Sequence, residues 1–243
     1  SQDSSFANSA GYWRDTASTR FADRPFFVAE YGHVFWNATR YEEGLVFSAY
    51  SALQNFSGLM VHSSPATLTV RNPVVPFDCG SDPIARANQV VTAFAFLRGD
   101  VAESKRYIEL RFDDKFLTEN GNLNRAPGAE NMLSLICGFG IWYDNPSMLN
   151  LGGRPKPIAV IDAAGGAKVS MTQNTMDVLG SESTGRQRVS SLVSTLKEKG
   201  LLPKDNKSNP DKGIFQSDTG EILMDSSKHT MTVISPRLEG IAS

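Results

Sequence analysis

Apolar and polar positions along the first part of the chain predict a strand, a helix and a second strand. Residues 25–32 form a short apolar run that is opened by Pro25 and closed by Gly32, which is typical of a strand buried on both faces. Residues 39–56 carry apolar side chains at helical spacing, and residues 58–62 form a second short apolar run. This order predicts a βαβ unit with two parallel strands.

A second helix follows after a loop rich in proline, threonine and asparagine. Asp82-Pro83 is typical of a helix start, because the carboxylate caps the first turn and proline suits its first position. An apolar stripe from Ile84 to Leu97 then ends at Gly99, a common residue after a helix. Residues 1–99 are therefore expected to contain a strand, a helix, a strand and a helix.

The pattern changes near residue 105 and becomes β-rich. Residues 105–112 alternate as a half-exposed strand does, and residues 213–234 contain three short strands separated by turns. Residues 187–199 have the spacing of an amphipathic helix. Residues 129–143 are apolar and contain two glycines, so they fit either a helix or a strand. These features predict a domain boundary near residue 105.

Composition and charge argue against several classes of protein. The 243 residues have a formal net charge of −2, which gives no basic surface for nucleic acid. The two cysteines, Cys79 and Cys137, are too few for a disulfide framework or a cysteine-rich zinc cluster. No apolar run reaches about 18 residues, so no membrane span is expected. No nucleotide-binding glycine loop or zinc-binding helix motif occurs, and we expect no cofactor or metal.

Glu30 is the residue most suggestive of chemistry. It stands at the carboxyl end of the first predicted strand, where open α/β sheets and (β/α)8 barrels place catalytic groups. The structural alternative is a strand-end glutamate paired with an arginine such as Arg40. Spacing alone does not choose between the two interpretations.

The segment around Glu30 resembles a known family. Residues 27–33 read Phe-Val-Ala-Glu-Tyr-Gly-His, and together with residues 49–54 and 58–62 they resemble the seventh strand, seventh helix and eighth strand of the large clan of retaining (β/α)8 glycoside hydrolases. Ala29 departs from that pattern, where a hydroxyl residue is frequent. The resemblance continues through residues 96–101, which look like the last barrel helix and its exit.

Later segments extend the resemblance beyond the barrel. Residues 200–203, 217–222 and 232–240 are similar to the β-sandwich that follows the barrel in multidomain glycosidase-like proteins, many of them from polysaccharide-degrading bacteria. Residues 113–186 match no segment of the family. The resemblance implies an α/β plus all-β protein: residues 1–105 as the C-terminal strands and helices of a TIM (β/α)8 barrel, and residues 106–243 as a β-rich, sandwich-like accessory domain.

The resemblance also implies a reaction. Glu30 would be the nucleophile in retaining hydrolysis of O-glycosidic bonds, which requires two carboxyl groups. In the clan the second is a glutamate directly after an asparagine, and this chain contains no Asn-Glu dipeptide. Because a full barrel takes about 250 residues, the chain is expected to be the C-terminal part of a longer glycosidase. It would be inactive alone, with the acid/base and the N-terminal barrel portion upstream or on a separate chain.

Four residues near the predicted strand ends are candidates for binding an oligo- or polysaccharide. Trp36 would stack on a sugar ring, and His33, Asn37 and His62 would hydrogen-bond sugar hydroxyls. Trp13, earlier in the chain, would also stack on a sugar ring. Tryptophans in such places more often belong to a core or an interface.

Other functions remain open. One alternative is a non-catalytic carbohydrate-binding or structural module of a polysaccharide-degrading protein, and another is a transglycosidase that uses the same nucleophile. The resemblance implies a secreted or periplasmic bacterial protein.

Overall fold

The computed structural model describes residues 3–63, 75–77, 80–119, 129–143, 155–162, 166–171, 174–177 and 185–243. The α-helices are α1 Gly11–Ala17, α2 Glu42–Leu53, α3 Pro83–Thr92, α4 Asp114–Glu119 and α5 Gly185–Glu198. A π-helical turn, Ala93–Leu97, continues α3, and 3-10 helices span Ala129–Leu135 and Pro210–Lys212. The strands are β1 Phe27–Tyr31, β2 Gly58–Val61, β3 Tyr107–Phe112, β4 Gly138–Tyr143, β5 Ala159–Asp162, β6 Gly166–Met171, β7 Asn174–Asp177, β8 Ile214–Gln216, β9 Ile222–Asp225, β10 Thr230–Ile234 and β11 Glu239–Ala242.

The predicted βαβ unit is confirmed in β1, α2 and β2. The two strands pair in parallel, with Phe27 opposite Gly58 and Val28 opposite Leu59. The register shifts between Val28 and Tyr31, so the end of β1 departs from regular pairing. Nearly every side chain of α2 is buried, because strands lie on one side of this helix and other helices surround it.

Helix α1 adds aromatic side chains to the core around α2. Trp13 is fully buried, with its ring centroid 5.2 Å from that of Tyr50, and its indole Nε1 donates a hydrogen bond of 3.2 Å to Ser51 Oγ. The ring of Phe56 stacks on Trp13 at 5.9 Å. Trp13 therefore belongs to the core and offers no surface for stacking a sugar.

Helix α3 packs against α2 through its polar face. Asn88 faces Gly44, where an added Cβ would lie only 2.7 Å from Asn88 Cα, and Asn88 Nδ2 donates a hydrogen bond of 2.8 Å to Arg40 O. Part of the apolar stripe that the sequence shows along this helix points outward: Val90 and Leu97 are exposed, Leu97 by 77%, whereas Val91 packs against the core. The close approach of α2 and α3 decides which face of α3 is turned toward α2. Only a glycine opposite Asn88 leaves room for this approach.

A mixed five-stranded sheet occupies the middle of the chain, in the order β4-β3-β5-β6-β7. Strand β3 is parallel to both β4 and β5, whereas β5, β6 and β7 pair antiparallel. The stretch 129–143, which fitted either helix or strand, contains both: a 3-10 helix followed by β4. Ile108, Leu110 and Phe139 bury their side chains completely.

A separate four-stranded antiparallel sheet, in the order β11-β10-β9-β8, closes the chain. Alternate side chains of β9 and β10 are buried, as the sequence pattern indicates for strands with one face in the core. Helix α5 buries the four apolar residues of its stripe, Val189, Leu192, Val193 and Leu196. The predicted strands and helix of this region are confirmed.

The predicted architecture is wrong at the level of sheets. In the described residues β1 and β2 form a two-stranded sheet by themselves rather than the closing strands of a TIM barrel. The second half holds a mixed sheet with three parallel strands beside an antiparallel sheet, rather than the two facing antiparallel sheets of a sandwich. The sandwich prediction came from the resemblance of three later segments, residues 200–203, 217–222 and 232–240. The side-chain alternation that predicted strands here does not distinguish parallel from antiparallel pairing.

Buried contacts cross the predicted boundary near residue 105. The amide of Gln54, the residue after α2, donates to the carbonyls of Ser134 and Cys137 at 2.8 and 2.6 Å, and its oxygen accepts from Phe139 N at 2.8 Å. One hydrophobic cluster contains residues from both halves. The division into residues 1–105 and 106–243 stays a prediction. As expected, no helix among the described residues is long and apolar enough to cross a membrane.

Candidate functional site

An open, shallow pocket lies beside the carboxyl ends of β1 and β2. Side chains reach it from the segments after both strands, from α2 and from the start of α3, because the carboxyl ends of parallel strands meet at one edge of their sheet. The lining residues are Gly32, His33, Val34, Phe35, Glu43, Val61, His62, Ser63, Pro76, Phe77, Asp82 and Ala85.

Glu30 and His62 form a pair at this edge. His62 Nδ1 lies 3.4 Å from Glu30 Oε1, and the Glu30 side chain is 72% exposed. Glu30 is not a lining residue, but its partner His62 is, so the pair stands beside the pocket. The alternative pairing with Arg40 does not occur, since Arg40 Nε lies 2.7 Å from Asp82 Oδ2. The Glu30 carboxylate is thus accessible to solvent.

The ring of Phe77 lies next to His62 in the lining of the pocket. The rings of His62 and Phe77 are perpendicular, with centroids 4.6 Å apart. Ser63 Oγ donates a hydrogen bond of 2.9 Å to Phe77 O and holds the two segments together. Phe77 is nevertheless 48% exposed, so much of this ring is available at the pocket.

Glu43 is a buried carboxyl group in the lining of the pocket. Its Oε2 accepts a hydrogen bond from the backbone N–H of His33. Burial raises the pKa of Glu43 to about 7; within that shift the His33 N–H acts in the opposite direction and the nearby Asp82 contributes a smaller increase. Gly32 has a φ of +147°, and a Cβ there would lie 3.9 Å from both Glu43 oxygens. The carboxyl group is therefore only partly ionised near neutral pH.

His33 forms a second part of the lining. Its Nε2 lies 3.5 Å from Ser5 Oγ, whereas its Nδ1 is buried without a hydrogen-bond partner. Burial lowers the pKa of His33, and the backbone of Thr39 opposes that change. The neutral ring is favoured at neutral pH, so His33 can offer either a donor or an acceptor, depending on its tautomer.

The structure brings two of the four predicted sugar-binding residues, His33 and His62, into the pocket. Trp36 is 56% exposed but does not line it. Asn37 is fully buried, and its Oδ1 accepts hydrogen bonds from Thr39 N at 2.7 Å and Thr39 Oγ1 at 2.8 Å, which stabilises a local turn. Roles for Trp36 and Asn37 in substrate binding stay predictions.

Two features of the pocket have no signal in the sequence. Glu43 follows Glu42 in the first turn of α2, where acidic residues are common because they suit the helix dipole. Phe77 lies in a loop without periodicity. Only the folded chain shows that both line the same pocket.

A further set of carboxylates stands at the ends of the parallel strands of the five-stranded sheet. Asp113 and Asp114 follow β3, and Asp162 ends β5. Tyr143 donates a hydrogen bond to Asp114 Oδ1. Within the described ranges, no three histidine, cysteine, aspartate or glutamate side chains are grouped so as to hold a metal ion.

No protein-family model, curated protein or solved structure matches the chain. The resemblance to retaining glycoside hydrolases therefore rests on the short segments around Glu30 and on the later segments of the sequence.

Proposed function

We propose that this protein acts in the hydrolysis of O-glycosidic bonds of oligo- or polysaccharides, with Glu30 as the nucleophile. The observation that supports the proposal is the position of the Glu30 carboxylate: exposed, 3.4 Å from His62 Nδ1, and at the shared end of two parallel strands beside a pocket. An attacking carboxylate must be accessible, and a hydrogen-bonding neighbour fixes its orientation.

The proposed reaction has two steps. Glu30 Oε attacks the anomeric carbon while an acid protonates the leaving oxygen, which gives a glycosyl ester and a free alcohol. Water then attacks the anomeric carbon, the ester bond breaks, and the water proton returns to the same acid. The proposal assigns this acid to the Asn-Glu motif of the resembled clan, which this chain does not contain. Turnover therefore requires the complete protein.

The decisive variant is Glu30→Gln in the complete protein. Against a panel of aryl glycosides we expect kcat to fall on the order of a thousandfold or more, because an amide does not replace an attacking carboxylate. In Glu30→Ala, added azide should restore release of the aryl group and yield a glycosyl azide of inverted configuration.

The matched control is Glu239→Gln, which removes an exposed glutamate from β11. It should leave kcat unchanged. Undiminished turnover in Glu30→Gln would show that Glu30 is not the nucleophile.

A non-catalytic carbohydrate-binding module is the second candidate, and the missing Asn-Glu dipeptide favours it. Binding to a glycan array, without hydrolysis when the rest of the protein is supplied, would support this alternative.

A further inference from the structure

The charges around the pocket are mainly acidic. Glu43 and Asp82 line it, and Glu30 stands beside it against His62. No lysine or arginine is among the lining residues of the described chain. Arg40, which pairs with the lining residue Asp82, is held by it through Nε and Nη2 at 2.7 and 3.4 Å. An anionic ligand would meet no uncommitted positive charge there.

The lining also leaves polar atoms available. Among the described residues the carboxyl group of Glu43 receives one hydrogen bond, at Oε2 from His33 N, so Oε1 remains for a ligand. His33 Nδ1 is a buried polar atom without a hydrogen-bond partner. A protonated carboxyl donates a hydrogen bond and an ionised one accepts, so Glu43 suits a hydroxyl group in either state.

An apolar surface accompanies these polar atoms. Phe77 is half-exposed and perpendicular to His62, and Phe35 lines the same pocket. Sugar rings combine hydroxyl groups at their rim with apolar C–H faces, and they therefore fit a site that has an aromatic ring beside hydrogen-bonding groups.

We propose that this pocket is a subsite for one uncharged sugar ring, which Glu43 Oε1 binds through a ring hydroxyl and Phe77 contacts on its apolar face, and that the subsite rejects uronate rings. The inference takes its ligand class from the proposed function. Rejection of uronates follows from the charges at the pocket: Arg40 is already paired with Asp82, so a ligand carboxylate would face Glu43 and Glu30 without a free cation.

The test measures binding to the full chain by titration followed with NMR. The probes are methyl glucoside and methyl galactoside, each beside the methyl glycoside of its uronate, at pH 6 and pH 8. At least one neutral probe should bind, and its uronate should bind at least about tenfold more weakly at pH 8. The difference should be smaller at pH 6, where Glu43 is mostly protonated.

Two variants identify the side chains. Glu43→Gln keeps the shape of the carboxyl group, and it should weaken neutral binding several-fold and reduce the pH dependence of uronate rejection. Phe77→Ala removes an exposed ring and should weaken binding of the neutral probe about tenfold. The matched control is Phe94→Ala, an equally accessible ring at 40% exposure outside the pocket, which should bind as the parent chain does.

The inference is overturned if no neutral probe binds, if uronates bind equally well at pH 8, or if Phe77→Ala and Glu43→Gln both bind normally. These outcomes are separate from the test of hydrolysis. Normal binding in a protein that hydrolyses no glycoside would refute the hydrolase and keep the subsite. Turnover that depends on Glu30 but not on Glu43 or Phe77 would keep the hydrolase and refute the subsite.

Discussion

The Glu43 carboxyl group connects the pocket to the stability of the fold. In the unfolded chain its pKa is near the ordinary value of 4.5, whereas burial raises it to about 7 in the folded protein. The folded state therefore holds a proton that the unfolded state has lost between these two values. It follows that Glu43 lowers the free energy of unfolding as pH rises from about 4.5 to about 7.

This residue gives a prediction for the pH dependence of stability. Between pH 4.5 and pH 8 the parent chain should lose up to about 3 kcal/mol relative to Glu43→Gln, which cannot titrate. Urea denaturation of both proteins at several pH values measures the difference. A difference that stays constant with pH would show that Glu43 is ionised throughout.

The sequence alone identified some residues of the site and missed others. Glu30 and His62 were identified because they end two apolar runs, and the ends of parallel strands meet at one edge of a sheet. Glu43 lies in the first turn of α2, where the helix dipole is an equally good local explanation for an acidic residue. Its burial depends on the loop after β1, and no local pattern of residues reports that contact.

The contact between α2 and α3 shows what decides packing between elements. Gly44 lies against the backbone of Asn88, and the side-chain amide of Asn88 is hydrogen-bonded to Arg40 O. Two helices approach this closely only where one lacks a side chain.

Substitution of this glycine should destabilise the protein. In an exposed helix interior, glycine to alanine stabilises by about 1 kcal/mol. Gly44→Ala should instead lower the free energy of unfolding by roughly 1–3 kcal/mol, because the new Cβ would lie 2.7 Å from Asn88 Cα. Thermal unfolding followed by circular dichroism measures the change.

Gly11→Ala is the control for Gly44→Ala. Its Cβ would have no neighbour closer than 3.6 Å, so its effect should be small. Equal stabilisation by both substitutions would contradict the close packing of α2 and α3.

Local elements were predictable where the sequence pattern was strong. Strands β1 and β2, helices α2 and α5 and the start of α3 follow from apolar spacing and capping residues. The outward orientation of Val90 and Leu97 was not predictable, because a helix with an apolar stripe normally buries it. Here the requirement for space opposite Asn88 determines the buried face.

Gln54 joins distant parts of the molecule. Its side-chain amide makes three hydrogen bonds with the backbone at Ser134, Cys137 and Phe139, all in buried surroundings. Ser104 N also donates to Leu53 O at 2.9 Å, close to the same place. These contacts couple the helix of the βαβ unit to the five-stranded sheet.

Removal of the Gln54 side chain tests the coupling between α2 and the five-stranded sheet. Gln54→Ala would leave three buried backbone groups without partners, and the free energy of unfolding should fall by about 2–4 kcal/mol. Denaturation followed by tryptophan fluorescence and by circular dichroism should give one coincident transition for the parent chain. Gln89→Ala, on the less buried α3, is the control and should change stability little. Two separate transitions would instead support independent domains on either side of residue 105.

The sequence by itself determined the local elements, the parallel β1–α2–β2 unit and the placement of Glu30 and His62 at strand ends, since periodicity, caps and strand order act over short stretches of chain. Only the tertiary structure decided how strands group into sheets, which face of α3 is buried and which residues line the pocket. These features depend on contacts between residues far apart in sequence, such as Gln54 with Phe139. Many pairings are compatible with the same alternation of apolar and polar side chains, and packing selects among them.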